Sequence, residues 1–152
     1  MKTLLKAAAM AAVIAIGAGS AASAQNAGRT YEQGPVWQIS YVETKPGMFD
    51  DYMAYLGATY KAIQEEEMKA GNVLEWHVLA VNDPRDGEPD VILITKLKNM
   101  AVGYDRSFEE GDEMNARAFG SVKQSNVASV KREDVRTLRG SLSSREILVG
   151  KK

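Results

Sequence analysis

The chain has no cysteine and a single histidine, and each scarcity removes whole classes of chemistry. Without thiols there is no disulfide framework, no thiolate nucleophile and no lipobox acylation site. With one imidazole and no cysteine, neither an H-E-x-x-H motif nor a Cys/His zinc site can be built, and no metal is expected. Glycine-rich phosphate loops are missing too, since no G-x-G-x-x-G follows a candidate strand. Nor does charge of one sign dominate. The 19 basic and 20 acidic residues are interleaved, as in "VKREDVRTLR", which leaves no basic stripe for nucleic acid.

One stretch is rich where the rest is poor. "MKTLLKAAAMAAVIAIGAGSAASAQ" places Lys2 and Lys6 ahead of an apolar run from Ala7 to Ile16. Small residues follow, and Ala22-Ser23-Ala24 fits the A-x-A pattern before Gln25. The apolar run is shorter than the roughly 20 residues of a membrane span. Residues 1–24 are therefore expected to be a secretory signal, and the mature protein to be periplasmic or secreted with no membrane attachment. Losing Lys2 and Lys6 leaves 17 basic against 20 acidic residues, a net charge of −3. An exported domain without disulfides has to stand on its hydrophobic core alone.

Residues 25–34 are polar and are expected to form a flexible leader, followed by one domain over 35–149 and a tail at 150–152. "VWQISYVE" reads as a strand. After it, Phe49, Met53, Leu56, Tyr60 and Ile63 recur at helical spacing behind Pro46, and Gly71-Asn72 stops the helix. The tract Glu65–Glu67 is expected on its solvated face, with Tyr52 and Tyr55 off the main stripe. "VLEWHVLAV" and "VILITKL", joined by the turn-rich "NDPRDGEPD", predict an antiparallel hairpin. Residues 99–119 predict a broken helical region. A second helix should begin behind Ser121, paired with Gln124 as a capping box, and run to about Leu138. A last strand is expected within "SLSSREILVG". The order is β-α-β-β-α-β, an α+β ferredoxin-like arrangement with a four-stranded antiparallel sheet and an extra helix in the second crossover.

Alternation in the strands separates two sheet faces. Trp37, Ile39 and Tyr41 are expected under the helices with Leu74, Trp76, Val78 and Ala80. The opposite face would carry Glu75, His77, Gln38, Ser40, Thr95 and Arg145 among apolar residues. That mixture is too apolar for water and too polar for an ordinary core, so a second copy of the chain is expected to cover it and enclose a pocket for a small, partly apolar ligand.

The strand running through "VETKPG" into a long amphipathic helix, the strand pair with its polar loop and the closing "REILV" resemble the dimeric α/β-barrel superfamily, near its antibiotic-biosynthesis-monooxygenase-like and stress-responsive branches. The resemblance implies a homodimer with a barrel-like cavity. It allows a cofactor-independent monooxygenase or isomerase, or a non-enzymatic ligand-binding or dimerisation module. Haem-binding members use a helical histidine, whereas His77 is predicted on a strand, so no cofactor is expected. His77 is the candidate general base and Glu75 its partner. Gln38, Ser40, Thr95 and Arg145 are the candidate substrate contacts, with Arg145 holding a carboxylate or pairing with Glu75 or Glu146.

Overall fold

The computed structural model describes residues 28–150, so the expected signal segment lies outside the described residues. Along the chain run β1 (Tyr31–Thr44), α1 (Phe49–Tyr55), a π-helical turn (Leu56–Tyr60), α2 (Lys61–Lys69), β2 (Val73–Ala80), β3 (Val91–Leu97), α3 (Met100–Tyr104), α4 (Phe108–Phe119), α5 (Val122–Val135) and β4 (Arg136–Val149). The strands form one antiparallel sheet in the order β2-β3-β1-β4. This is the ferredoxin-like α+β fold that the β-α-β-β-α-β order predicts, with α3 and α4 inserted in the second crossover.

Two boundaries differ from expectation. β1 begins at Tyr31, so Tyr31–Gly34 belong to the sheet and not to a leader; Tyr31 pairs with Val149 and Gln33 with Ile147. At the other end α5 stops at Val135 and the chain turns straight into β4, where helix was expected to continue to about Leu138. Lys45 N–H donates to the Val135 carbonyl at 3.0 Å, which ties the end of α5 to the end of β1 and lets Arg136 pair with Thr44. Pairing with a long central strand thus overrides the helical propensity of "RTLR".

The helix starts are set locally. Ser107 and Glu110 form a reciprocal capping box at α4, and Gly120 closes that helix in the left-handed region at φ 83°. Ser121 caps α5 as expected, accepting from Gln124 N–H at 3.1 Å. Asn99 does the same for α3, accepting from Val102 N–H at 3.2 Å.

Cross-strand register fixes which residues share a face. On the helix side, four rows run across the sheet as Val73–Leu97–Val36–Arg145, Trp76–Thr95–Gln38–Ser143, Val78–Leu93–Ser40–Ser141 and Ala80–Val91–Val42–Leu138. The outer rows are apolar and hold the buried core: Val36, Val73 and Leu97 at one end, Val42 and Val91 with Tyr52 and Leu56 at the other. The middle rows are mixed, with Gln38, Thr95, Ser143, Ser40 and Ser141 polar and Trp76, Val78 and Leu93 apolar.

The open side carries Glu75–Lys96–Trp37–Ser144, His77–Ile94–Ile39–Leu142 and Leu79–Ile92–Tyr41–Gly140. Trp37, Ile39 and Tyr41 were expected beneath the helices and lie instead on this open side. The alternation of β1 was correct and its orientation inverted, because the large aromatics look like core while the smaller Val36 and Val42 are the ones fully buried. Leu74 is also displaced from the core. A register shift between Val73 and Glu75 leaves it 47% exposed.

Candidate functional site

The inversion of β1 divides the six candidate residues between the two faces. Glu75 and His77 are on the open face, where Glu75 Oε1 lies 2.6 Å from His77 Nε2 and both side chains are about half exposed. Gln38, Ser40, Thr95 and Arg145 register on the helix side. The single polar surface expected from sequence therefore does not exist. Arg145 is separated by the sheet from both carboxylates it was expected to meet. Glu75 is engaged by His77, while Glu146 accepts from Trp37 Nε1 at 3.0 Å and pairs with Lys96 at 3.2 Å.

Between the sheet and its helices the middle rows open into two neighbouring cavities. The first, of about 310 Å³, is lined by Gln38 and Thr95 from the sheet, Gln64 and Glu67 from α2, Gly103 from α3 and Arg106 beyond it. Gly103 packs close against two side-chain ends of the sheet. A Cβ at this position would stand 2.9 Å from Gln38 Nε2 and 3.1 Å from Leu97 Cδ1, so its absence lets α3 close over β1. Gln64 Oε1 is buried with no hydrogen-bond partner.

Glu67 is not on a solvated face as expected. It accepts from Arg106 Nη2 at 2.8 Å and from Asn72 Nδ2 at 3.0 Å, and its side chain is 14% exposed. Arg106 reaches Met114 Sδ with its other terminal nitrogen at 2.6 Å. This ion pair staples α2 to the inserted helices and forms one wall of the cavity.

The second cavity, of about 210 Å³, is lined by Ser40, Val42 and Leu93 from the sheet, by Tyr52, Tyr55 and Tyr60, and by Arg132, Arg136 and Leu138. Tyr52 and Tyr55 were expected off the buried stripe. Tyr52 is instead the most buried helical residue, 1% exposed, and stacks on Tyr55 with ring centroids 6.0 Å apart. An i→i+5 turn inserted between α1 and α2 turns Tyr60 toward the same cavity as Tyr55, five residues earlier.

Tyr60 hydroxyl meets Thr95 Oγ1 at 3.2 Å and its ring meets Trp76 edge-on at 5.8 Å, so Tyr60 is the partition between the cavities. Burial pushes the Tyr52 phenol up to about 12, the nearby Arg136 guanidinium opposing, and burial raises Tyr60 as well. Both are protonated hydrogen-bond groups at neutral pH. Ser40 hydroxyl bonds Ser141 at 3.0 Å across the strands.

The site residues that sequence inspection missed are the three tyrosines, Arg132 and Arg136. The arginines are brought together by the turn from α5 into β4, with Arg132 in the last turn of the helix and Arg136 the first residue of the strand. Among the described residues no group of three or more His, Asp or Glu could hold a metal ion, and no helix is long and apolar enough to cross a membrane.

A helix-covered antiparallel sheet with cavities on its covered face defines a ferredoxin-like α+β protein with candidate small-molecule sites. No protein-family model matches the chain, and no curated protein sequence matches it significantly. Solved structures are similar in fold. A protein from Shewanella oneidensis is 11% identical over 78% of this chain and 99% of its own, with a TM-score of 0.51. HapK from Hahella chejuensis is 9% identical over 73% of this chain and 91% of its own, with a TM-score of 0.50. A dimeric ferredoxin-like protein from an uncultured marine organism is 16% identical over 80% of this chain and all of its own, with a TM-score of 0.48.

Proposed function

We propose that the protein is an exported, homodimeric α/β-barrel protein that binds a small, partly apolar molecule between each sheet and its own helices. One observation carries the binding claim. Polar groups from the middle of the sheet, among them Gln38, Ser40 and Thr95, converge with Tyr60 and Gln64 on two adjoining cavities walled by apolar residues. A few placed polar groups in an apolar concavity are the usual form of a ligand site. Homodimerisation rests on the open face, where Ile39, Ile92, Ile94, Leu79 and Leu142 would face water in a lone chain. Export rests on the n-region, apolar run and A-x-A site of residues 1–24.

Binding is favoured over base catalysis by His77, because His77 and Glu75 stand on the other side of the sheet from the cavities. An enzymatic form of the reading, cofactor-independent oxidation or isomerisation, is supported by the protonated phenols of Tyr52 and Tyr60. These could polarise a bound carbonyl.

The test is mass spectrometry of small molecules released from protein purified from its own host, with molecular mass in solution measured on the same sample. A retained compound that is lost in Tyr60→Phe and kept in His77→Ala is expected. A dimer with nothing retained from host or added extracts would overturn the binding claim.

A further inference from the structure

We propose that the smaller, tyrosine-lined cavity is an anion subsite for a single-ring aromatic or alicyclic carboxylate, with the carboxylate held by Arg132 and Arg136 and the ring against Tyr60, Leu93 and Leu138. The proposal rests on the reading that the helix-side cavities take a ligand, and it assigns the chemistry of that ligand.

The charge balance of the lining points this way. Two guanidinium groups face the cavity and none of its lining residues is acidic. Arg132 is anchored by neutral partners, donating from Nη1 to Tyr55 Oη at 3.1 Å and from Nη2 to Ser129 Oγ at 2.7 Å. Its face is packed over the rings of Tyr55 and Phe119, at 5.3 and 6.0 Å. A guanidinium has five N–H donors, so this anchoring fixes the group while leaving donors available.

Arg136 has a single carboxylate contact, Glu133 at 3.4 Å, and that carboxylate belongs to a side chain 58% exposed and outside the lining. Its own side chain is only 14% exposed, and Nε is buried without an acceptor within the protein. A guanidinium this shielded from water attracts an anion more strongly than an exposed one does. The tyrosines cannot neutralise the pair internally, since burial holds Tyr52 and Tyr60 in their protonated forms.

Size and shape narrow the ligand further. At about 210 Å³ the cavity is below the ~300–1,000 Å³ of pockets that take drug-sized molecules, which suits one ring. Leu93, Leu138 and the Tyr60 ring supply an apolar and aromatic wall, and the two arginines lie together on α5 and the start of β4. Arg forks match a carboxylate in two parallel hydrogen bonds. An aromatic or alicyclic acid satisfies both halves of the cavity at once.

Calorimetric titration of the full mature chain with benzoate, its uncharged analogue benzamide and the cationic benzylamine tests this. Benzoate should saturate at one per chain, with benzamide and benzylamine weaker by roughly tenfold or more, the loss of one charge-assisted hydrogen bond. Arg132→Gln and Arg136→Gln should each weaken benzoate by a similar factor and leave benzamide unchanged. The surface variant Arg85→Gln should bind as the unaltered protein does. Circular dichroism and melting temperature establish that the variants are folded.

Should either Gln variant unfold, Arg132→Lys and Arg136→Lys retain the charge, and their intermediate affinity decides the point together with the benzoate-to-benzamide ratio of the unaltered protein. Equal affinity for benzoate and benzamide, or full benzoate binding in the folded Gln variants, overturns the anion subsite while leaving the cavity as a neutral-ligand site. No binding of any of the three probes also overturns it, and the retained-ligand experiment on host protein then decides the cavity reading separately.

Discussion

Tyr60 reaches both cavities with one side chain, its ring against Trp76 and its hydroxyl against Thr95. Tyr60→Phe keeps the ring and removes the hydroxyl bond, so the expected cost is about 1 kcal/mol, read as a lower urea midpoint with an unchanged slope. Tyr52 gives a pH test. Its folded pKa, about 12, is above the ordinary phenol value, so between pH 10 and 12 the unfolded chain releases this proton while the folded chain keeps it. Stability is therefore unaffected below pH 10 and falls as pH rises from there, by about 1 kcal/mol per pH unit from this group. Denaturation at pH 9, 10 and 11 should show the fall, and Tyr52→Phe should flatten it. At this scale sequence alone picked out Gln38, Ser40 and Thr95 as residues that share a face, which register shows they do. It assigned them to the wrong side because two valines at 0% exposure, Val36 and Val42, carry the burial of a strand whose bulkiest residues point outward.

The helical layer shows where periodicity stops being informative. Phe49, Met53, Leu56, Tyr60 and Ile63 do describe one continuous helical stretch, and α1, the π turn and α2 follow without a break. A spacing of four suits both an α-helix and a helix interrupted by one wider turn, so the π turn left no trace in the pattern; within α1 the buried position is Tyr52 and not Phe49, which is 38% exposed. Removing Gly57 should convert the turn to regular helix. Helical content by circular dichroism should persist, while Tyr60 rotates away from Trp76. The expected signs are altered tryptophan fluorescence and loss of the compound retained from the host. The inserted helices behave more simply. Ser107→Ala removes the hydroxyl that accepts from Glu110 N–H and leaves only the backbone half of the α4 capping box, which should cost about 1 kcal/mol and raise amide exchange in Phe108–Phe119 before it does so in the sheet. The sequence places a capping box at Ser121 and only a broken helical region over 99–119, so the Ser107–Glu110 box went unread. The Glu67–Arg106 staple went unread as well, since Glu67 on α2 and Arg106 in the loop after α3 are separated by the whole β2–β3 hairpin.

For the molecule as a whole, the proposed assembly rests on the open face. Its rows are graded: Glu75, Lys96, Trp37 and Glu146 make a charged end, and beyond them Ile94, Ile39 and Leu142, then Leu79, Ile92 and Tyr41, make an apolar field. Only seven apolar side chains are fully buried among the described residues, a small core for a domain that has no disulfide to help it. Packing the apolar rows of two copies together would extend that core, as two sheets do in a sandwich. His77 sits at the edge of the middle row, on edge strand β2, with Glu75 already bonded to it. It is thus placed at the rim of the proposed interface, where truncation should matter little. Ile39, on central strand β1 between Ile94 and Leu142, is at its middle. Ile39→Lys would bury an unpaired ammonium, costing several kcal/mol, and should weaken self-association by roughly a hundredfold or more. His77→Ala should remain dimeric at the same concentration. Light scattering coupled to size exclusion, run as a dilution series on both variants, gives the comparison. A folded Ile39→Lys protein that elutes as the unaltered one does would remove the open face from the interface.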